Sequence, residues 1–261
     1  MRLTKQIVNT AKDLVAFGPG FVFATNLARI RKDQTARVNV RGVGPIHIRG
    51  GNSDVAMLRQ IFRQNEYDLD HPAEIGERFQ RRYREILAAG RKPIIVDAGA
   101  NIGGSALYFE QKFPEARIVS VEPDAGNVAV LRRNLERRPN HVILEAAIGA
   151  MPGFVSVVGH EQGWAVQTER ADKGLPIVTI EDAFKASGGD DPLLVKIDIE
   201  GFESDLFSTN LGWIERSFAI AVEPHDWMLP GKGTSLSFQK ALAPHGFEVF
   251  IKGENLLYVR M

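Results

Sequence analysis

At 261 residues the chain has room for one large α/β domain with an appendage, and 44% apolar with 25% charged residues is the balance of an ordinary globular protein. Lysine plus arginine equal aspartate plus glutamate at 32 each, so no overall field draws the molecule to nucleic acid. The lack of cysteine excludes disulfides, thiolate nucleophiles and cysteine-ligated zinc, and it fits a reducing, cytoplasmic setting.

Residues 1–50 depart from that balance, with nine Lys/Arg against Asp13 and Asp33. Leu3, Ile7, Ala11, Leu14 and Val15 recur at helical spacing, and a second apolar run from Phe21 to Leu27 follows the break at Phe17-Gly18-Pro19-Gly20. Neither run reaches the roughly 20 apolar residues that span a bilayer. No small-residue cleavage site follows a compact apolar core, so a signal peptide is not expected. The arm reads as a helix packed on the main domain, or as an amphipathic segment resting peripherally on an anionic membrane or on an acidic substrate.

Val38-Asn39-Val40 and Ile46-His47-Ile48 alternate around Gly42-Val43-Gly44-Pro45 and read as a hairpin. Gly50-Gly51-Asn52-Ser53-Asp54 then opens a helix. Asn52 or Ser53 suits its cap and Asp54 its positive end, and Ser53 and Asp54 also stand as candidate ligand contacts. A second helix runs roughly from Pro72 to Ala89 and closes at Gly90, with Arg81, Arg82 and Arg84 on a solvated face.

From Pro93 the pattern is strand, glycine turn, helix, strand: Pro93 to Asp97, Ser105 to Phe113, and Ala116 to Glu122. This is a βαβ unit of a parallel sheet, in which ligands bind beyond the strands' carboxyl ends. Asp97 and Glu122 therefore share one rim, and Glu122 is placed to accept both hydroxyls of a ribose. The turn is not a dinucleotide GxGxxG, since Asn101 stands at the middle glycine, and no phosphate-binding lysine follows. An acid closing the strand repels a pyrophosphate but receives an amino-acid ammonium. A ligand that joins a ribose to an amino acid is S-adenosylmethionine, and Gly99 and Gly103 would leave room for its methionine part. The candidate cofactor contacts are Asp97, Gly99, Asn101, Gly103 and Ser105, then Glu122, Pro123 and Asp124, then Ala147 after the third strand, with Ser53 and Asp54.

Gly51-Asn52-Ser53-Asp54, Phe62-Arg63-Gln64-Asn65-Glu66-Tyr67, the glycine turn, Val121-Glu122-Pro123-Asp124 and Val195-Lys196-Ile197-Asp198-Ile199-Glu200-Gly201-Phe202-Glu203 together resemble the FkbM-type methyltransferases, from about residue 38 onward. The resemblance implies a class I, Rossmann-like α/β fold with a seven-stranded, mostly parallel sheet in the order 3-2-1-4-5-7-6. It also implies O-methylation of a hydroxyl on a sugar, glycan or natural product. Residues 1–90 form an N-terminal helical and hairpin extension on this reading, and residues 91–261 the cofactor-binding domain.

The remaining strands fall at Val142 to Glu145, Leu193 to Asp198, Phe218 to Glu223, Phe247 to Ile251 and Leu256 to Arg260. A further β-like stretch, Phe154 to Val158 and Ala165 to Thr168, is inserted before Leu193, where it could overhang the site. Chemistry is expected at the fourth strand's end, across the topological switch from the first. Asp198 leads the catalytic candidates, with Glu200 and Glu203 from the same segment and His225 as the rival base. Lys196 reads as a partner for a carboxylate, and the arginines Arg132, Arg133, Arg137 and Arg138 as a solvated helix face. Asp198, Glu200, Glu223 and Asp226 offer oxygen ligands to magnesium, but their spacing matches no recognised ligand pattern, so magnesium is possible and not expected. The alternative to an enzyme is a non-catalytic cofactor-binding protein that serves as a membrane-associated partner in a biosynthetic assembly.

Overall fold

In a computed structural model, which describes residues 2–30, 35–159, 166–228 and 230–261, the chain opens with helices α1 (Arg2–Phe17) and α2 (Pro19–Ile30). The hairpin β1 (Thr35–Val40) and β2 (Gly44–Arg49) follows in antiparallel register, with Val38 opposite Ile46. Next come α3 (Asp54–Arg63) and α4 (Ala73–Ala88), then the unit β3 (Pro93–Ala98), α5 (Gly104–Lys112), β4 (Arg117–Glu122), α6 (Ala125–Leu135) and β5 (His141–Glu145). A second sheet is built from β6 (Ala147–Ile148), β7 (Gly153–Gly159), β8 (Val166–Ala171) and β9 (Leu175–Val178). After α7 (Ile180–Ser187), β10 (Asp191–Ile197) rejoins the main sheet. The chain closes with α8 (Glu203–Leu206), α9 (Gly212–Arg216), β11 (Ala219–Val222), α10 (Thr234–Leu242), β12 (Phe247–Lys252) and β13 (Asn255–Arg260).

The main sheet has seven strands in the order β12-β13-β11-β10-β3-β4-β5. This is the expected class I order, with β13 antiparallel to both neighbours and the pairs from β11 to β5 parallel. The chain winds outward from β3 through β4 to β5, then returns to β10 on the other side of β3. The crevice at the ends of β3 and β10 is thus the topological switch point where such sheets take ligands. Strand β3 is buried on both faces, as a central parallel strand must be. Its alternation sends Ile95 to the core shared with α3, α4 and α5, and Ile94, Val96 and Ala98 to the core shared with α7, Trp213 and Phe238. Asp97 lies two residues after Ile95 and so faces α5. Phe21, Val38, Ile46 and Phe79 belong to the same apolar core as Ile95, so α2, the hairpin and α4 share one core with the sheet.

Three expectations change. The helical spacing in α1 does not mark its packing face: Leu14 is 49% and Val15 79% exposed, while Asp13 is buried. The cause is electrostatic, because Asp13 accepts from Arg59 at 3.0 Å and from Arg63 at 2.7 Å, both on α3. Leu3 and Ile7 lie in α1, but their side chains fall outside the described residues. The inserted β-like stretch is larger than its sequence suggests: β7 and β8 pair as expected, although Ala165 lies outside the described residues, and β6 and β9 complete the sheet. Two residues of β6 and a proline-bearing β9 give almost no alternation to read. Arg82 is no free surface group either, since it reaches Asp191 at 2.7 Å.

Candidate functional site

The ends of β3, β4 and β10, together with β6 and α3, wall a solvent-open pocket of ≈ 780 Å³. The chain leaves β3 through Gly99 at φ +77, and Asn101 follows at φ 49, a left-handed conformation that asparagine tolerates better than most side chains. That explains how an asparagine replaces a glycine in this turn. A Cβ on Gly99 would lie 1.8 Å from the backbone oxygen of Asp198, and one on Gly103 2.7 Å from Leu131 Cδ1. The space these glycines clear is therefore filled by the protein itself. Gly99 lets the two strand ends on either side of the switch touch, while its other side lines the pocket.

Asp97 sits at the floor, fully buried, and does not reach the pocket wall. Ser105 donates its hydroxyl to Asp97 Oδ2 at 2.6 Å, and Lys196 Nζ lies 3.2 Å from Oδ1. Both partners line the pocket, so the charge of Asp97 acts through them. Burial works against the charge on Lys196, but Tyr67, Asp97 and Asp198 outweigh it and hold the ammonium well above its ordinary range. Lys196 also donates to the carbonyl of Gly99 at 2.7 Å.

Glu122 is on the wall. Its Oε2 accepts from the Asn101 N–H at 2.8 Å, and its Oε1 from the Asp124 N–H at 3.0 Å and Asn127 Nδ2 at 2.9 Å. Burial pushes its carboxyl above the ordinary range despite those donors. Asn127 in turn accepts from Arg49 Nη2 at 2.7 Å, and Arg49 is clasped by Asp54 at 2.8 Å. These donors take three of the about four acceptor positions of Glu122 and leave one on Oε2, while Asn101 Oδ1 is buried without a hydrogen bond. Those acceptors, with Pro123, Ala147, Ile148 and Phe202 as apolar wall, fit a nucleoside whose ribose hydroxyls and amine need partners.

Across the pocket, β10 ends at Ile197 and Asp198 follows on the wall. The backbone turns through Glu200 at φ 52 and Gly201 at φ 101, which swings Glu203 back beneath β11. Glu203, fully buried, meets His225 Nδ1 at 2.7 Å. The other ring nitrogen, Nε2, lies 3.4 Å from Asp198 Oδ1 and 3.8 Å from Glu223 Oε1. Burial disfavours ionisation of Asp198, but Lys196 and then His225 reverse this and hold it down at about 2. Burial also opposes charge on His225, yet Asp198 and Glu203 raise it to about 10. Glu223 is pushed up to about 8 by burial and then by the charge of Asp198.

Among the expected residues, Gly99, Asn101, Ser105, Glu122, Pro123, Ala147, Asp198 and Glu200 line the pocket. Gly103, Asp97, Asp124, Ser53, Asp54 and His225 do not. Asp124 caps α6 by accepting from the Asn127 N–H at 2.7 Å. Ser53 makes no side-chain cap, and Asp54 serves Arg49, not the helix end. Asp226 accepts from Thr234 Oγ1 at 3.0 Å and so stands apart from the cluster at Asp198. Met57, Ile61, Tyr67, Asn127, Lys196 and Phe202 join the wall without having been assigned to it from sequence. Tyr67, Lys196 and Phe202 carried a signal, as members of the segments that bear the family resemblance.

The family model described as the Methyltransferase FkbM domain matches residues 97–230, just over half of the chain. Methyltransferase sdnD of Sordaria araneosa is 54% identical over 43 residues, which cover 16% of this chain and 17% of that one. Methyltransferase 1 of Beauveria bassiana (strain ARSEF 2860) is 25% identical over 191 residues, covering 52% of this chain and 76% of that one. The crystal structure of methyltransferase FkbM from Methylobacillus flagellatus KT aligns with TM-score 0.43 and 19% identity, covering 65% of this chain and 43% of that one. The chain thus spans less than a fifth of the first relative's length and less than half of the solved structure's.

Proposed function

The chain belongs to the FkbM methyltransferase family, and from that premise we propose that it moves a methyl group from S-adenosylmethionine to a hydroxyl oxygen of a sugar, glycan or natural product. The observation that carries this reading is the placement of Glu122 and Asp198 on opposite walls of one pocket at the switch point. Glu122, backed by Asn101, Asn127 and Arg49, is set to take the ribose. Buried Lys196 and Ser105, fixed by Asp97, mark the end suited to the amino-acid part, whose carboxylate a lysine attracts.

When bound, S-adenosylmethionine supplies a methyl group on a cationic sulfur, which keeps the electron pair of the broken carbon–sulfur bond and leaves as S-adenosylhomocysteine. The chain's part is placement. Asp198 holds the acceptor hydroxyl in line, and its carboxylate favours departure of the proton as the oxygen's lone pair bonds to carbon. A carboxylate in hydrogen-bond reach contributes about 10²- to 10⁴-fold. Glu200 shares that wall, and its left-handed backbone shapes the turn behind it. His225 acts through Asp198: with both ring nitrogens facing carboxylates, it orients the acid and is no free base.

Titration calorimetry with S-adenosylhomocysteine, followed by labelled methyl transfer to hydroxylated sugars, glycans and natural products, tests the reading. Saturable binding that Glu122→Ala abolishes, with transfer that Asp198→Asn suppresses, supports it; absence of binding ends it.

A peripheral membrane site of action is a second element of the proposal. No helix among the described residues is long and apolar enough to cross a membrane. Leu14, Val15 and Phe23 are nonetheless exposed on α1 and α2 within the basic arm, which suits insertion at an anionic surface.

A further inference from the structure

We propose that Asp198, Glu223 and His225 form a divalent-cation site that grips the methyl acceptor through two adjacent oxygens, as in a vicinal diol. The identity of the acceptor rests on the methyltransferase reading; the ion does not. One ligand atom from each of the three side chains lies within 4.8 Å of the others. Atoms bound at about 2.1 Å to one octahedral ion stand roughly 3 Å apart when cis and roughly 4.2 Å apart when trans. The gaps from His225 Nε2, 3.4 Å to Asp198 Oδ1 and 3.8 Å to Glu223 Oε1, fall in that interval.

Those gaps need a reason. An imidazole between two carboxylates closes to about 2.7–2.9 Å when it donates a charge-assisted hydrogen bond. His225 does so on its other side, to Glu203, and stands off from the two carboxylates on this one. The ring is 2% exposed, while the Asp198 side chain is 28% exposed and lines the open pocket, which gives an ion a path to the gap. The carboxylate behind the ring is also the arrangement that fixes orientation in metal-binding histidines, and an ion at Nε2 would take the place of the proton that Asp198 otherwise favours there. Lys196 takes Asp198 Oδ2 at 3.3 Å and leaves Oδ1 for the ion. Asp97 and Asp198 lie beside Lys196, and Glu203 and Glu223 flank His225, so four carboxylates meet one lysine and one histidine here.

One imidazole with two carboxylates suits manganese, or magnesium with retained waters. Three protein atoms leave coordination positions open, and two neighbouring oxygens of the acceptor would fill them. A hydroxyl held there is both oriented and acidified. The sequence offered Asp198 and Glu223 as oxygen ligands but His225 only as a base, and it included Asp226, which instead accepts from Thr234.

The test is direct binding of manganese, read as loss of the free-ion electron paramagnetic resonance signal, with S-adenosylhomocysteine calorimetry on the same samples. One manganese per chain is expected in the wild type, lost in Glu223→Gln and in His225→Ala. Glu203→Gln, which leaves the ligands in place, should weaken binding about 10- to 100-fold. Glu122→Ala should lose the nucleoside and keep the metal. No stoichiometric manganese in a wild type that binds S-adenosylhomocysteine overturns the cation site and leaves the methyltransferase reading standing. Manganese bound equally by wild type and by folded Glu223→Gln and His225→Ala overturns it as well. Failure to bind S-adenosylhomocysteine overturns the methyltransferase reading whatever manganese does.

Discussion

Lys196 and Asp97 are register partners on neighbouring strands, and the lysine Nζ lies 3.2 Å from the carboxylate Oδ1 with both side chains buried. Removing the cation leaves buried Asp97 with only the Ser105 hydroxyl and takes a partner from Asp198. Lys196→Met should therefore cost about 3–5 kcal/mol, the usual penalty for breaking a buried pair on one side only. Urea denaturation gives the value, and a loss below about 1 kcal/mol would contradict the assignment.

Arg49 does not line the pocket, yet it links Asp54 to Asn127 in the chain of contacts Asp54–Arg49–Asn127–Glu122. Arg49→Met should leave α3 folded and lower the affinity for S-adenosylhomocysteine about tenfold, the worth of one hydrogen bond in a charged network. Calorimetry on the purified variant decides this. Unchanged affinity would mean that Glu122 is held well enough by Asn101 and Asp124 alone.

Glu122 ties binding to acidity. Its carboxyl lies above the ordinary 4.5, chiefly through burial, and only the ionised form accepts from ribose and backbone together. Affinity for S-adenosylhomocysteine should fall as the solution is acidified, beginning above pH 4.5, and Glu122→Gln should give a weaker and flatter profile. The empty protein responds in the opposite sense. A raised folded-state value adds stability at pH below the unfolded value, and that increment is lost as pH rises through the folded one. Constant wild-type affinity down to pH 4.5 would refute this.

Two glycines with similar backbone angles should respond differently to alanine. Gly188 at φ 62 has open space where a Cβ would go, so Gly188→Ala should cost only the left-handed penalty of about 1–2 kcal/mol. Gly99→Ala drives a methyl group into the backbone of Asp198 and should exceed about 4 kcal/mol or prevent folding. Thermal unfolding of the pair makes the comparison. Equal losses would show that the two strand ends are free to part.

The exposed Leu14 and Val15 give a test of the membrane proposal that spares the fold. Replacing both by aspartate should reduce sedimentation with phosphatidylserine vesicles several-fold while thermal stability holds, because Asp13, facing the other way, anchors the helix. Vesicle binding that ignores the substitutions would remove that surface from consideration.

Local patterns disclosed the central sheet well, since Pro93 to Asp97 and Arg117 to Glu122 are short apolar runs closed by acids and separated by a glycine turn. Both acids landed at the switch point for that reason. Contacts between distant segments were not legible. Glu203 and His225 meet only because Glu200 and Gly201 reverse the backbone after β10, and the composition around them signals nothing of the kind. Asp54 looked like a helix-end charge and Asp226 like a site acid. Each instead satisfies a donor that the tertiary fold brings to it, Arg49 and Thr234 respectively. In α1 the apolar spacing pointed to the wrong face because a single buried acid outweighed several exposed hydrophobes.

Glu66 and Tyr67 are consecutive but serve different parts of the fold. Glu66 clasps the turn between β12 and β13, accepting from the Glu254 N–H at 2.7 Å and from Asn255 at 3.0 Å, while Tyr67 walls the pocket beside Lys196. One peptide link joins the sheet's outer margin to the pocket at the switch point. The clasp on that peripheral turn therefore also fixes where the backbone carries Tyr67, so the margin of the sheet helps to set the shape of the pocket at its centre.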